Sequence, residues 1–367
     1  MSAPVSLSAA GTLTEDQRQL AKTVRDVVAK HAGSEAVRAA AESAAGYDET
    51  LWSLLCEQVG VAALSIPEEF DGIGVSYLES HLVLEELGRN LVPSPMLGSV
   101  VIGAQALLAS GNTEACARLL PGVAEGSTAL ALCWSGAEGV WNATDLAVSF
   151  ADGVLTGEAS YVIGGDTADV LLVAANTPDG PALFEVAGDA AGVTRARTAA
   201  MDPTRPLSSV RFDSAATTVL AAGTEVVERA LTIASIALSA EQVGAAARLL
   251  ELTVEYTKQR KQFGRAIGSF QALKHRMADL YVLVETARSM SYAAAQSLSS
   301  TDAALAKVYC SEAFQTVAGE SIQLHGGIAI TWEHDAHLYF KRAHGSAQLF
   351  GQPRTHLRAL EGAVGLS

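Results

Sequence analysis

Along the chain the spacing of apolar residues changes twice. From Thr14 to about Pro121 apolar positions recur every three to four residues, as in Leu51, Leu54, Leu55 and Val59, which predicts amphipathic helices, among them 15–28 and 77–89. The stretch Ile66-Pro67-Glu68-Glu69-Phe70-Asp71-Gly72-Ile73-Gly74 interrupts that pattern, and Pro93 and Pro95 mark a second break. From 127 to 224 the runs shorten and are rich in Val, Leu and Ala between Gly, Asp and Pro. Segments 146–150, 154–163, 169–174, 182–186 and 209–212 read as strands of an antiparallel sandwich or barrel. From 226 the helical period returns in 226–259, 271–298, 302–324 and 334–350, which predicts a four-helix bundle. The expected architecture is α+β and multi-domain: a helical domain over 1–125, a middle β domain over 126–225 and a helical bundle over 226–367.

Composition narrows the function classes. With 367 residues and 49% hydrophobic content, the chain has enough material for several cores. A formal charge of -15 repels phosphate backbones and anionic lipid, which argues against nucleic-acid and membrane-surface partners. No run of 18 apolar residues occurs, so no membrane span is expected. Residues 1–11 lack a basic region followed by an apolar core, so no secretory signal is expected either. Cys56, Cys116, Cys133 and Cys310 are widely spaced and form no Cys-x-x-Cys pair, which suits buried thiols in a reducing cytoplasm.

Two segments carry candidate chemistry. In Arg260-Lys261-Gln262-Phe263-Gly264-Arg265-Ala266-Ile267-Gly268-Ser269-Phe270-Gln271, a helix ends in charge, a Gly turn follows, and a new helix opens at Phe270-Gln271. Arg260 offers a planar fork suited to a diphosphate, Phe263 a face for a ring system, and Gln271 a polar edge. The plain alternative is a helical corner with Arg260 as a solvated charge at a helix C-terminus. In Gln323-Leu324-His325-Gly326-Gly327-Ile328-Ala329-Ile330-Thr331, the paired glycines allow close backbone approach by a ligand, or merely end a helix.

Together these segments resemble the C-terminal half of the acyl-CoA dehydrogenase family. Further segments similar to that family are Ile66 to Gly74, Leu84-Glu85-Glu86-Leu87-Gly88-Arg89, Leu155-Thr156-Gly157-Glu158 and 168–174, so the resemblance spans nearly the whole chain. It implies a three-domain flavoenzyme that dehydrogenates an acyl-CoA thioester between its α and β carbons. A carboxylate base takes the α proton while the flavin of FAD takes the β hydride. It also implies that Arg260, Gln262, Phe263, Phe270, Gln271, Gln323, His325, Gly326 and Gly327 grip the ADP half of FAD across a subunit interface.

The chain departs from the family pattern where the reaction happens. Gly351, in Leu349-Phe350-Gly351-Gln352-Pro353-Arg354, stands at the usual position of the base, and Ala234 stands at the alternative position on the long helix. Ser235 replaces an Arg that helps to hold substrate in some members. Leu132-Cys133-Trp134-Ser135-Gly136-Ala137-Glu138-Gly139 keeps little of the flavin-floor motif. Ile163 stands where a Thr would hydrogen-bond the flavin, and an unpaired buried carbonyl there costs about 1–3 kcal/mol. Trp134 and Trp141 are candidates to fill the space so vacated. The resemblance therefore implies the base-lacking chain of a pair, similar to the split α2β2 acyl-CoA dehydrogenases of actinobacteria, several of which act on steroid side-chain thioesters. Two alternatives remain at this stage: a self-sufficient flavoenzyme with Glu241 as a displaced base, and a non-catalytic scaffold. His334 and His337 have the spacing of a metal pair, but the family uses no metal.

Overall fold

The computed structural model describes residues 13–363, so the segment 1–11 lies outside the described residues. Helix α1 (Glu15–His31) opens with a reciprocal cap. The Thr14 hydroxyl accepts from the Gln17 N–H, and the Gln17 side chain accepts from the Thr14 N–H. Helices α2 (Ser34–Glu42), α3 (Glu49–Val59) and α4 (Tyr77–Arg89) follow. Met96–Gly103 is wound as a fully buried π-helix that runs into α5 (Ala104–Ala109), and α6 (Thr113–Glu125) completes the helical region.

Eight strands form one sheet: β1 (Leu130–Cys133), β2 (Val148–Ala151), β3 (Val154–Ile163), β4 (Val170–Thr177), β5 (Gly180–Ala187), β6 (Val193–Thr198), β7 (Leu207–Ala216) and β8 (Thr218–Ala222). Their order is β6-β7-β3-β2-β4-β5-β8, with β1 also on β4. This corrects the expectation of a purely antiparallel domain, because β1 and β2 both run parallel to β4. The reason is the excursion between them. Residues 134–147 leave the sheet after β1 and return to the same edge of β4 without reversing direction. That excursion carries Trp134 and Trp141 toward the helical layer.

Helix α7 (Glu225–Gln259) is the spine of the C-terminal region. By length and composition it would pass for a membrane span, which corrects the sequence expectation that no segment could. However, 89% of its most apolar window is buried inside the protein, so it reads as a core helix. It crosses α4 at van der Waals contact through two glycines. A Cβ on Gly88 would lie 2.5 Å from the Glu241 carbonyl oxygen, and one on Gly244 would lie 1.9 Å from that of Glu85. Only glycine permits that approach. A short hairpin of β9 (Lys261–Gln262) and β10 (Arg265–Ala266) leads to α8 (Gln271–Ser297), α9 (Ser300–His325), α10 (Ala336–Gln348) and α11 (Pro353–Ala363). The region thus holds five α-helices rather than the four expected, because the chain resumes helix at Pro353, whose fixed φ suits a first turn.

Candidate functional site

The region where the sequence placed a flavin and a base is filled by aromatic side chains. Trp134 and Trp141 meet edge to face with ring centroids 5.1 Å apart. Phe350 packs on both, at 6.0 Å from Trp134 and 5.2 Å from Trp141, and Tyr161 closes the group at 6.4 Å from Trp141. Two local backbone features aim these rings. Tyr161 sits at φ 58 in an irregular stretch of β3, with its hydroxyl donating to the Ala137 carbonyl at 2.9 Å. Phe350 sits at φ 59, an uncommon region for a bulky residue. Between Trp134, Trp141, Tyr161, Ile163, Phe350 and Gly98 remains a cavity of about 20 Å³. That is room for about one water, a natural partner for the buried and otherwise unpaired Trp134 indole N–H. An isoalloxazine does not fit there.

Both positions read as vacant bases are incapable of the role on geometry as well as chemistry. Ala234 is fully buried in the core of α7, and Ser235 beside it has an unpaired hydroxyl. Gly351 has φ 97, and a Cβ there would come within 3.0 Å of His356 Nε2. Glu241 is committed elsewhere. Its carboxylate accepts from Arg205 and lies 3.9 Å from Arg342, which itself donates to Asp202 and to Thr204. Burial works against the Asp202 carboxylate, but the adjacent Arg342 guanidinium holds its pKa below the ordinary value. This buried ion cluster joins α7, α10 and the loop before β7, beside a cavity of about 60 Å³. Within this clasp the Glu241 carboxylate, the displaced-base candidate, is paired with Arg205.

The outer edge is built differently. Tyr256, one turn from the end of α7, stacks on His325 at the end of α9 with ring centroids 4.4 Å apart, and its hydroxyl donates to the His325 carbonyl at 3.2 Å. This ties the segment after Arg260 and the segment after Gln323 to one end of the bundle. There Arg260, Gln262, Phe263, Gln271, Gln323, Gly326 and Gly327 are all exposed, with Phe270 half-buried. Phe263 and Gly264 both have positive φ and form the two-residue loop of the β9–β10 hairpin. That turn thrusts the Phe263 ring into solvent, 91% exposed. An added Cβ on Gly326 or Gly327 would meet nothing within 4 Å, so no side chain of this chain requires their smallness. His325 departs from the others. Its ring is buried between Tyr256 and His334, with Nδ1 on the Ser321 carbonyl. His334 and His337 face different neighbours, His325 and Trp332.

Sequence reasoning missed Phe350, Tyr161 and the Asp202–Arg205–Arg342 cluster. The available signal was weak: Phe350 adjoins the vacant Gly351, and Arg342 is a lone charge among the apolar positions of α10.

Comparison with known proteins identifies the family. The acyl-CoA dehydrogenase N-terminal domain model matches residues 14–127 and the C-terminal domain model residues 221–361. The acyl-CoA dehydrogenase IpdE2 of Mycobacterium tuberculosis is 48% identical over 96% of this chain and 98% of its own. FadE27 of the same organism, also an acyl-CoA dehydrogenase, is 32% identical over 86% of this chain and 87% of its own. Among solved structures, the ChsE4-ChsE5 complex from M. tuberculosis superposes with a TM-score of 0.89 at 29% identity, over 97% of this chain and 99% of that one. A variant of the Tcur3481-Tcur3483 steroid ACAD superposes at 0.87 with 30% identity, over 96% and 99%. With both domain models matched and relatives similar along almost their whole length, the chain belongs to the acyl-CoA dehydrogenase family, whose members are FAD-dependent oxidoreductases.

Proposed function

We propose that this chain is the base-lacking subunit of a heteromeric acyl-CoA dehydrogenase, assembled with a second chain of the same family as α2β2. The observation that carries the reading is the aromatic filling of its own flavin face, set against an outer edge that stays open. FAD, when bound, accepts the β hydride of the acyl-CoA. The partner holds the flavin and supplies the carboxylate that takes the α proton. Arg260 would donate to the diphosphate, and Phe263, Phe270, Gln271, Gln323, Gly326 and Gly327 would hold the rest of the ADP half. Similarity to the ChsE4-ChsE5 complex and to the Tcur3481-Tcur3483 steroid ACAD supports a heteromer acting on a bulky, steroid-type acyl-CoA.

The test is flavin content. Purified alone, the chain is expected to carry no flavin absorbance and to leave acyl-CoA unoxidised. Co-purified with its partner it is expected to hold one FAD per pair of chains. Stoichiometric FAD and turnover by the chain alone would overturn the proposal.

A further inference from the structure

Lys307 is the one lysine of α9 and lies on its buried face, beside Ala303, Ala304, Ala306, Cys310 and Phe314. It is fully buried, and no carboxylate approaches it among the described residues. Its ammonium donates to the carbonyls of Ser346 at 3.0 Å and Ala347 at 3.2 Å, and to the Ser311 hydroxyl at 3.3 Å. Those two carbonyls belong to the last turn of α10, where backbone acceptors have no partner within the helix and carry its negative end. Immediately beyond lies Phe350, held at positive φ with its ring against Trp134 and Trp141. On the far side of Phe350, His356 Nε2 donates to the Phe350 carbonyl at 2.8 Å, which requires the tautomer protonated at Nε2. Gly351 leaves the space that His356 occupies, since any Cβ at 351 would press on its ring.

A segment strained at Phe350 holds its shape only if contacts from outside over-determine it. Here the contacts come from both sides. Lys307 pins the end of α10 before the ring, and His356 pins the carbonyl after it. We infer that Lys307 and His356 are positioning residues that lock the former base segment, Leu349 to Pro353, into a wedge that keeps the Phe350 ring in the flavin face. Gly351 is then more than a lost carboxylate, because its bare backbone makes room for the lock. The inference rests on the reading that this chain's own face holds no flavin, but its readout does not use flavin.

The Trp134 and Trp141 rings, with centroids 5.1 Å apart, are close enough for their indole transitions to couple, so an exciton couplet in circular dichroism is the expected signal. The experiment records that couplet, together with thermal melting, for the full chain and for Phe350→Ala, Lys307→Met and His356→Ala. Phe350→Ala defines the signal of a missing wedge. The expected result is that Lys307→Met and His356→Ala each melt cooperatively yet lose the couplet as Phe350→Ala does. If either folds cooperatively and retains the parent couplet, the lock is refuted. Should Lys307→Met fail to fold, His356→Ala, whose half-buried side chain makes fewer demands on the core, decides alone. Flavin absorbance by the purified parent chain would instead strike the subunit reading, leaving the couplet result to judge the lock.

Discussion

The inner face and the outer edge of this molecule derive from the same family scaffold and have met opposite fates. The inner face is closed by Trp134, Trp141, Tyr161 and Phe350, and braced from behind by the ion cluster of Asp202, Arg205, Glu241 and Arg342. The outer edge keeps Arg260, Phe263, Gln271 and two uncrowded glycines facing solvent. An edge that serves only its own chain has no reason to present a strained, solvated phenylalanine. A face that must receive a ring system has no room for four aromatic side chains. The difference teaches that one fold can close its interior with aromatic packing while leaving a motif-bearing edge open to solvent.

The comparison can be broken at either end. The largest effect is expected from Arg342→Met on the inner side. It strands the buried Asp202 carboxylate, and denaturant titration should register a loss of about 3–5 kcal/mol. A loss within the range of a surface substitution would remove the clasp from the account. On the outer side, Arg260→Ala should leave the melting of the isolated chain unchanged. In the complex it removes charge-assisted hydrogen bonds worth about 1.5–3 kcal/mol, weakening FAD retention about 10- to 100-fold, measurable by flavin release on dilution. Unchanged retention would favour a scaffold without nucleotide contacts.

A third test sharpens the inner side through pH. Burial pushes the Lys307 pKa down to about 7, whereas an unfolded lysine titrates near 10.4. Between those values the unfolded chain binds the extra proton. The cost of burying Lys307 is therefore full below pH 7 and is relieved as pH rises, by at most about 1.4 kcal/mol per pH unit. Lys307→Met should flatten that rise in stability between pH 7 and 10, and an unaltered slope would show that another group produces it. The smallest effect is expected from Glu241→Gln on turnover of the complex. A catalytic base would lose about 100- to 10,000-fold, whereas a member of the clasp should leave kcat nearly intact while lowering the melting temperature.

The long helices and the strands β2, β3, β4, β5 and β7 were legible from local pattern, whereas β1, β6 and β8 were not read as strands. The long apolar run of α7 and the short runs of β4 and β5, rich in Ala, Leu and Val, need no knowledge of their neighbours. The parallel placement of β1 and β2 on β4 was not legible, since strand direction depends on the path of the 134–147 excursion and not on the strands themselves. The fifth helix of the C-terminal region, Pro353–Ala363, was missed because the Gly351-Gln352-Pro353 break reads as an end rather than a corner. At the site, absences could be read residue by residue. Glycine at 351 and alanine at 234 hold no proton in any fold. The burial of the His325 ring against Tyr256 was not legible, since it depends on where α7 and α9 end relative to one another.

By itself the sequence determined the helical or β character of each region and the family, because these depend on local period and residue chemistry. Only the tertiary structure decided what took the empty space. Trp134, Tyr161 and Phe350 lie far apart in the chain, and their convergence depends on an irregular strand, a left-handed residue and a buried lysine in a distant helix. Packing couples such residues through distance in space, which neighbours in sequence do not record.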